Sequence, residues 1–262
     1  MRILFVADIF GQTGKRMASI YIPTIVEKNN IDLVIANGEN IAGGFGLTEN
    51  LVRKLHNFGV DVITTGNHVW DRKEFVTKIH NHENVLRPFN YPTATPGKGS
   101  TIVKSRRGHL VGVLNLQGRT SMPPTDCPFR LGETEIERIR KQTPIIFVDF
   151  HAEATAEKMA LGWHIDGTVS ALIGTHTHVQ TADERILPAG TAYLTDAGMT
   201  GPHDSVIGVK PADAIRRFLT QIPTRFTPSE NGARFCGVLL DIDPITGKAI
   251  HIERLQILHK ET

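Results

Sequence analysis

Short apolar runs rich in β-branched residues recur along this chain, and most of them stop at a polar group. Residues 2–7, 31–36, 61–65, 144–150 and 168–173 have the length and composition of buried strands. Between them, longer stretches carry helix punctuation. A helix is expected to follow a loop over 9–14 and to run to about Lys28, with Pro23 as a kink or an early stop. Thr48 reads as the N-cap of a helix that ends near Phe58, with Gly59 closing it. Asp71 and Glu74 have the spacing of a capping box for the next helix. Further helices are expected near 133–141 and 154–163, and a short strand at 191–194. Residues 101–104 with 110–116, and 233–243 with 249–258, read as hairpins. Strands alternating with helices predict an α/β protein. Two stretches break the alternation, 117–130 and 196–203. Loops of such length serve as lids or binding loops when ordered. No internal repeat, low-complexity tract or linker interrupts the chain, so residues 1–262 are expected to form a single domain.

The strand ends hold the candidate chemistry. They present Asp8, then Glu39 and Asn40, then Asn67 and His68, then His151, then His176 and His178. Ligand chemistry in open α/β folds collects at the carboxyl ends of strands. Each piece has an ordinary explanation: Gly66-Asn67 is a common turn pair, Asp8 can approach a helix, and a lone histidine is more often exposed than ligating. Five successive strands each offering a ligand at the same end is harder to explain that way. Carboxylates, amide oxygens and imidazoles suit a first-row divalent cation, and the absence of thiolates argues against structural zinc. In a strand, His176 and His178 would point the same way; in a turn they can splay onto two ions. The histidines at 56, 80, 82, 109, 164, 251 and 259 read as surface or packing residues. Gly11 and Gly14 lack the Gly-Lys-Ser/Thr ending of a phosphate loop.

Composition narrows the class further. A hydrophobic content of 40% with 21% charged residues is that of a globular protein. A formal charge of +2 and the lack of a long basic run give no footprint for long nucleic acid. Lys104-Ser-Arg-Arg107 reads as a solvated hairpin turn. Two distant cysteines, Cys127 and Cys236, argue against a disulfide framework and fit a reducing compartment. The N-terminal apolar run stops at Asp8, short of a signal peptide, and no run approaches a membrane span. A cytoplasmic protein with no membrane partner is expected.

Taken in order, Asp8, Gly38-Glu39-Asn40, Gly66-Asn67-His68, His151 and Gly174-Thr-His-Thr-His178 resemble the signature of the calcineurin-like metallophosphoesterases. There are three departures. Phe10 stands where the family has its first histidine, Glu39 replaces a bridging Asp, and Val69 follows Gly-Asn-His where an acid is usual. These departures, with the run from 196 to 208, resemble the bacterial YmdB-type branch, which is similar to 2′,3′-cyclic-nucleotide phosphodiesterases.

The resemblance implies a two-sheet α/β/β/α sandwich with mixed strands and two divalent metal ions, iron favoured and manganese the alternative. One ion would take Asp8, Glu39, Asn40 and His178; the other would take Glu39, Asn67, His151 and His176. It also implies hydrolysis of 2′,3′-cyclic nucleotides to nucleoside 3′-phosphates, with a metal-bridging hydroxide as nucleophile and His68 as general acid. The loops at 117–130 and 196–205 are candidates for holding base and ribose, with no contact assigned. The partner is then a small cyclic nucleotide, and subunit number stays open, a homo-oligomer included. Two other readings remain: a phosphomonoesterase or RNA nuclease on the same site, and a regulatory or scaffold protein whose site Phe10 has weakened.

Overall fold

The computed structural model describes residues 1–260. In chain order its elements are β1 (Arg2–Val6), β2 (Asp8–Ile9), α1 (Gly11–Asn29), β3 (Leu33–Asn37), α2 (Glu49–Asn57), β4 (Val62–Thr64), α3 (Lys73–Val76), β5 (Val85–Leu86), β6 (Ser100–Lys104) and β7 (Leu110–Gln117). There follow α4 (Pro128–Arg140), β8 (Ile146–His151), α5 (Thr155–His164), β9 (Ala171–Thr175), β10 (Arg185–Ile186), β11 (Ala192–Leu194), β12 (Met199–Pro202), α6 (Pro211–Thr220), β13 (Ala233–Ile242) and β14 (Ala249–Leu258).

The strands form two sheets. One runs β2-β12-β13-β1-β3-β4-β5, with β14 on the other edge of β13; the second runs β10-β11-β9-β8-β7-β6. Within the first, β1, β3, β4 and β5 are parallel and β13 is antiparallel to β1. Within the second, β7, β8, β9 and β11 are parallel, with antiparallel β6 and β10 at the edges. Both sheets are mixed.

Alternation along the central strands explains the layers. Ile3, Phe5, Leu33 and Ile35 turn one way and pack against Val111, Val113, Phe147 and Ile173 of the other sheet. Leu4, Val6, Val34 and Ala36 turn the opposite way, onto Met17, Ile22, Val52 and Leu55 of α1 and α2. The second sheet likewise covers its outer face with Ile136, Ile139 and Leu161 of α4 and α5. The result is the α/β/β/α sandwich. Phe5 and Phe147 meet across the middle with ring centroids 5.0 Å apart. Burying such a side chain contributes about 1.5–3 kcal/mol, so the inter-sheet layer is what holds the two halves in register.

Three local expectations are corrected. Residues 9–14 are not a loop, because α1 begins at Gly11 and runs through Pro23 to Asn29. The 196–203 stretch contains β12, which pairs with β2 and β13. The 71–74 capping box does not form: Arg72 is the N-cap of α3, with no side-chain cap bond.

Candidate metal centre

The parallel strands β1, β3, β4, β8 and β9 bring their carboxyl ends together, and all eight predicted residues lie in one hydrogen-bonding network. Its centre is His151, whose Nε2 lies 3.1 Å from Glu39 Oε1, 3.1 Å from Asn67 Oδ1 and 3.0 Å from His176 Nδ1. Glu39 Oε1 also accepts from Asn40 Nδ2 at 3.1 Å, and that amide stands 3.1 Å from His178 Nε2. Asp8 Oδ2 accepts from the His176 backbone N–H at 3.2 Å, and Glu39 Oε2 accepts from that of His68 at 3.1 Å.

Local structure sets up these approaches. Gly66 opens a turn, its carbonyl accepting from Val69 N–H at 3.2 Å, and it also permits close approach, since a Cβ there would clash with the His151 ring. His176 and His178 follow β9 with φ of 107° and 64°, so they sit in a turn and splay apart. Left-handed backbone at a non-glycine residue is costly and survives only where surroundings enforce it. Here the enforcing group is Asp196. Its Oδ2 accepts from Thr177 N–H at 3.0 Å and from Lys158 Nζ at 2.7 Å, with Lys158 and Asp196 both fully buried.

Outer hydrogen bonds assign the ring nitrogens. Thr175 Oγ1 donates to Asp149 Oδ1 at 2.7 Å, so it accepts from His151 Nδ1 at 2.9 Å and leaves Nε2 toward the cluster. Asp149 also accepts from Thr64 at 2.5 Å and Asn37 at 3.1 Å, tying β3, β4, β8 and β9 together beneath the site. His176 Nε2 pairs with Glu153 at 3.0 Å, freeing Nδ1. His178 Nδ1 donates to the Ile207 carbonyl at 2.8 Å, freeing Nε2.

The electrostatics call for a cation. Burial pushes the Asp8 carboxyl well above the ordinary carboxylate range despite the nearby His151 charge. Burial pushes Glu39 up too, but His151 outweighs it and holds Glu39 at about 2. Burial lowers His151, while Glu39, then Asp8 and Asp149, reverse this and lift it to about 9. Burial and the His151 charge take His176 down to about 3. One imidazolium thus serves three buried carboxyls. Asp8 Oδ1 is buried without a hydrogen-bond partner. A buried polar atom in that state costs free energy that a cation would recover. Lone pairs of Glu39, Asn67 and His176 converge on the one position, and among the described residues Glu39, His151 and His176 each offer a ligand atom within 4.8 Å of the other two. The residues fit divalent cations with oxygen and nitrogen ligands.

Phe10, the departure from the family signature, is buried with its ring edge-on to His178, centroids 5.6 Å apart. It packs with Met199, Val209 and Ala214. Val69 is core, and Asp71 supplies the carboxylate instead: its Oδ2 accepts from His68 Nδ1 at 2.8 Å. His68 is also flanked by Phe45, centroids 5.0 Å apart.

A cavity of about 490 Å³ opens over the cluster. Its lining includes Glu39, His68, Glu153, His176 and His178 but, among the described residues, neither Lys nor Arg. The 117–130 loop does not line it; that stretch is anchored by Asn90 and Glu157, and α4 begins within it at Pro128. None of residues 196–205 lines it either; the cavity meets the chain just past them, at Val206 and Ile207. Sequence reasoning missed Asp149, Thr175, Lys158, Asp196 and the whole of α6. The Glu-Asn and Gly-Asn-His strings mark the candidate ligands; of the supporting groups, Thr175 and Asp196 fall within the 174–178 string and the 196–203 stretch, which do not foretell their contacts, and Asp149 and Lys158 carry no local motif.

Residues 4–255 match the profile described as YmdB-like protein. The chain is 52% identical over 257 residues to the 2′,3′-cyclic-nucleotide 2′-phosphodiesterase of Bacillus subtilis strain 168, covering 98% of this chain and 97% of that protein. Its fold is similar to that of a hypothetical protein from Thermus thermophilus, with a TM-score of 0.93 and 40% identity over 99% of this chain and 100% of that one. A crystal structure described as a novel phosphatase from Mycoplasma pneumoniae gives a TM-score of 0.92 and 36% identity, over 98% and 93% of the two chains.

Proposed function

This chain belongs to the YmdB-like protein family, and from that membership and its site we propose that it is a metal-dependent phosphodiesterase acting on 2′,3′-cyclic nucleotides. The observation that carries the reading is the cavity itself. A phosphodiester is an anion, and this cavity offers it the carboxylates of buried Glu39 and exposed Glu153, with no Lys or Arg among the described lining residues. Such a pocket accepts phosphate only when cations occupy the ligand cluster.

Asp8, Glu39, Asn40 and His178 would hold one ion; Glu39, Asn67, His151 and His176 would hold the other. Glu39 suits the shared position because it touches both His151 and Asn40. Iron fits the mixed oxygen and nitrogen set, with manganese the alternative. Bound there, the cations would neutralise the phosphoryl oxygens and lower the pKa of a water toward neutrality.

The chain's own residues do the rest. Asp71 accepts the Nδ1 proton of His68, fixes the ring and leaves Nε2 for the cavity. As water adds to phosphorus with loss of one proton and the bond to O2′ breaks, His68 Nε2 gives its proton to O2′ and takes one back from solvent before the next turnover. The product is the 3′-phosphate. Both cysteines are unpaired, which fits a reducing, cytoplasmic setting. Among the described residues no helix is long and apolar enough to cross a membrane.

The Mycoplasma neighbour's description as a phosphatase makes phosphomonoester hydrolysis the second reading. Protein reconstituted with Fe(II) or Mn(II) should convert 2′,3′-cyclic AMP to adenosine 3′-phosphate and stop there, as followed by chromatography. Accumulation of adenosine 2′-phosphate, or faster turnover of p-nitrophenyl phosphate than of the cyclic diester, would overturn the reading.

A further inference from the structure

The cavity above the metal cluster has a second wall of opposite character, which includes Phe45, Val206, Ile207, Ala214, Phe218 and Phe226. Resting on the function proposed above, we propose that this wall is a nucleobase subsite that holds the base by ring-face and apolar contact without reading its hydrogen-bonding edge.

Two side chains of this wall stand where solvent should disfavour them. Phe218 is 76% exposed and Ile207 is 57% exposed, yet both face the cavity that the metal ligands share. Ala214 and Phe218 lie four residues apart on α6 and so share one helical face. Ile207 has φ of 47°, a costly conformation for a β-branched residue. It is held there from the catalytic side, because its carbonyl accepts the His178 Nδ1 proton. Strain of this kind collects at functional sites. Across the cavity, the loop bearing Phe45 is fastened by Arg72, whose Nε donates to the Phe45 carbonyl at 3.0 Å and whose Nη2 donates to that of Ala42.

The volume and continuity identify the occupant. A cavity of about 490 Å³ lies within the range that small ligands use. A cyclic phosphate engaged at the cluster leaves its ribose and base to fill the remainder, and every base has a π-face for aromatic rings. Among the described residues no Ser, Gln, Lys or Arg lines the cavity; its one amide, Asn40, belongs to the metal cluster, its one hydroxyl, Thr177, is engaged with the Val179 backbone, and Glu153 pairs with His176. An apolar pocket discriminates poorly among shapes of similar size, whereas a hydrogen-bonding one rejects mismatches by large factors. The wall therefore grips any base and prefers the larger purines.

The test compares 2′,3′-cyclic AMP, GMP, CMP and UMP with base-free 1-O-methylribofuranose 2,3-cyclic phosphate, for the wild type and for F218A/F226A. Both side chains are exposed, so the variant should fold. The wild type should show KM values within about tenfold across the bases, and an advantage over the base-free compound of about ten- to a hundredfold. In the variant that advantage should collapse toward unity. In parallel, magnetisation transfer from the protein to the base protons of adenosine 3′-phosphate should be seen with the wild type and lost in the variant.

Discrimination beyond a hundredfold between bases would overturn the proposal by revealing an edge-reading site. So would an unchanged nucleotide advantage together with a drop in subunit number, which would mark the patch as a face for a second copy of the chain. If none of the cyclic phosphates is hydrolysed, the proposed activity fails, and the magnetisation transfer still decides the subsite on its own.

Discussion

Thr175 holds a proton on His151 Nδ1 and fixes the orientation of the ring. Its hydroxyl gives its single proton to Asp149, so at 2.9 Å it can only accept from His151 Nδ1. The imidazole is thereby oriented with Nε2 toward Glu39, Asn67 and His176. Groups that orient a metal-bound histidine in this way typically contribute about 10–100-fold in metal affinity. Replacing Thr175 by Val should weaken Mn(II) binding by about that factor in calorimetric titration, and Thr175→Ser should restore it. Equal weakening in both variants would reduce Thr175 to a packing residue.

His68 lies beside the cluster without converging on it, and its ring is tied to Asp71 rather than to the candidate ligands. Loss of a general acid should slow turnover by about 10²–10⁴. His68→Ala should therefore retain its metal while kcat for 2′,3′-cyclic AMP falls by that order. The deficit should shrink on a p-nitrophenyl diester, whose leaving group departs without a proton. A deficit of the same size on both substrates would remove His68 from the acid role.

Much of the site is legible in the sequence because strand ends announce themselves. β-Branched runs stop at Asn37, Thr64 and Thr175, and the ligand-bearing residues follow at once. What supports those ligands is not legible. Asp149 meets Asn37 and Thr64 across 112 and 85 residues of chain, and no local pattern records such a pairing. Asp71 misled for the opposite reason: its spacing to Glu74 satisfies a capping rule, yet the carboxylate pairs with His68 three residues earlier. Sequence reasoning missed helix α6 although it carries a readable signal: Pro211 opens it, and Ala214, Ile215, Phe218 and Leu219 have helical spacing, although the structure leaves the last three exposed.

Lys158 and Asp196 form an ion pair removed from water, and Asp196 also anchors the turn between His176 and His178. Removing one partner strands a buried charge at a cost of about 3–5 kcal/mol. Lys158→Met should lose stability of that order in urea unfolding of the metal-free protein, and its metal affinity should fall as well. A change below about 1 kcal/mol would mean that water reaches Asp196 and relieves it.

The two thiols should react differently. Burial opposes the Cys127 thiolate, but the backbone N–H groups of Arg130 and Phe129 at the start of α4 outweigh it and draw the pKa below its ordinary value. Burial pushes Cys236 up to about 11. Thiolate is the reactive form, so at about pH 7.5 a maleimide should label Cys127 in the native protein and Cys236 only after denaturation. Mass spectrometry of digested protein checks this, and rapid native labelling of Cys236 would contradict the buried position of β13.

On the function proposed above, cations at the strand-end cluster are what make this cavity a phosphodiesterase site. The most direct test is to strip the protein with a chelator under anaerobic conditions, then add Fe(II) or Mn(II) stepwise while following hydrolysis of 2′,3′-cyclic AMP. The expected result is no turnover without metal and a rise that saturates at about two ions per chain, the stoichiometry of paired-metal phosphoryl sites. Turnover that survives chelation, or none with either cation at any loading, would contradict it.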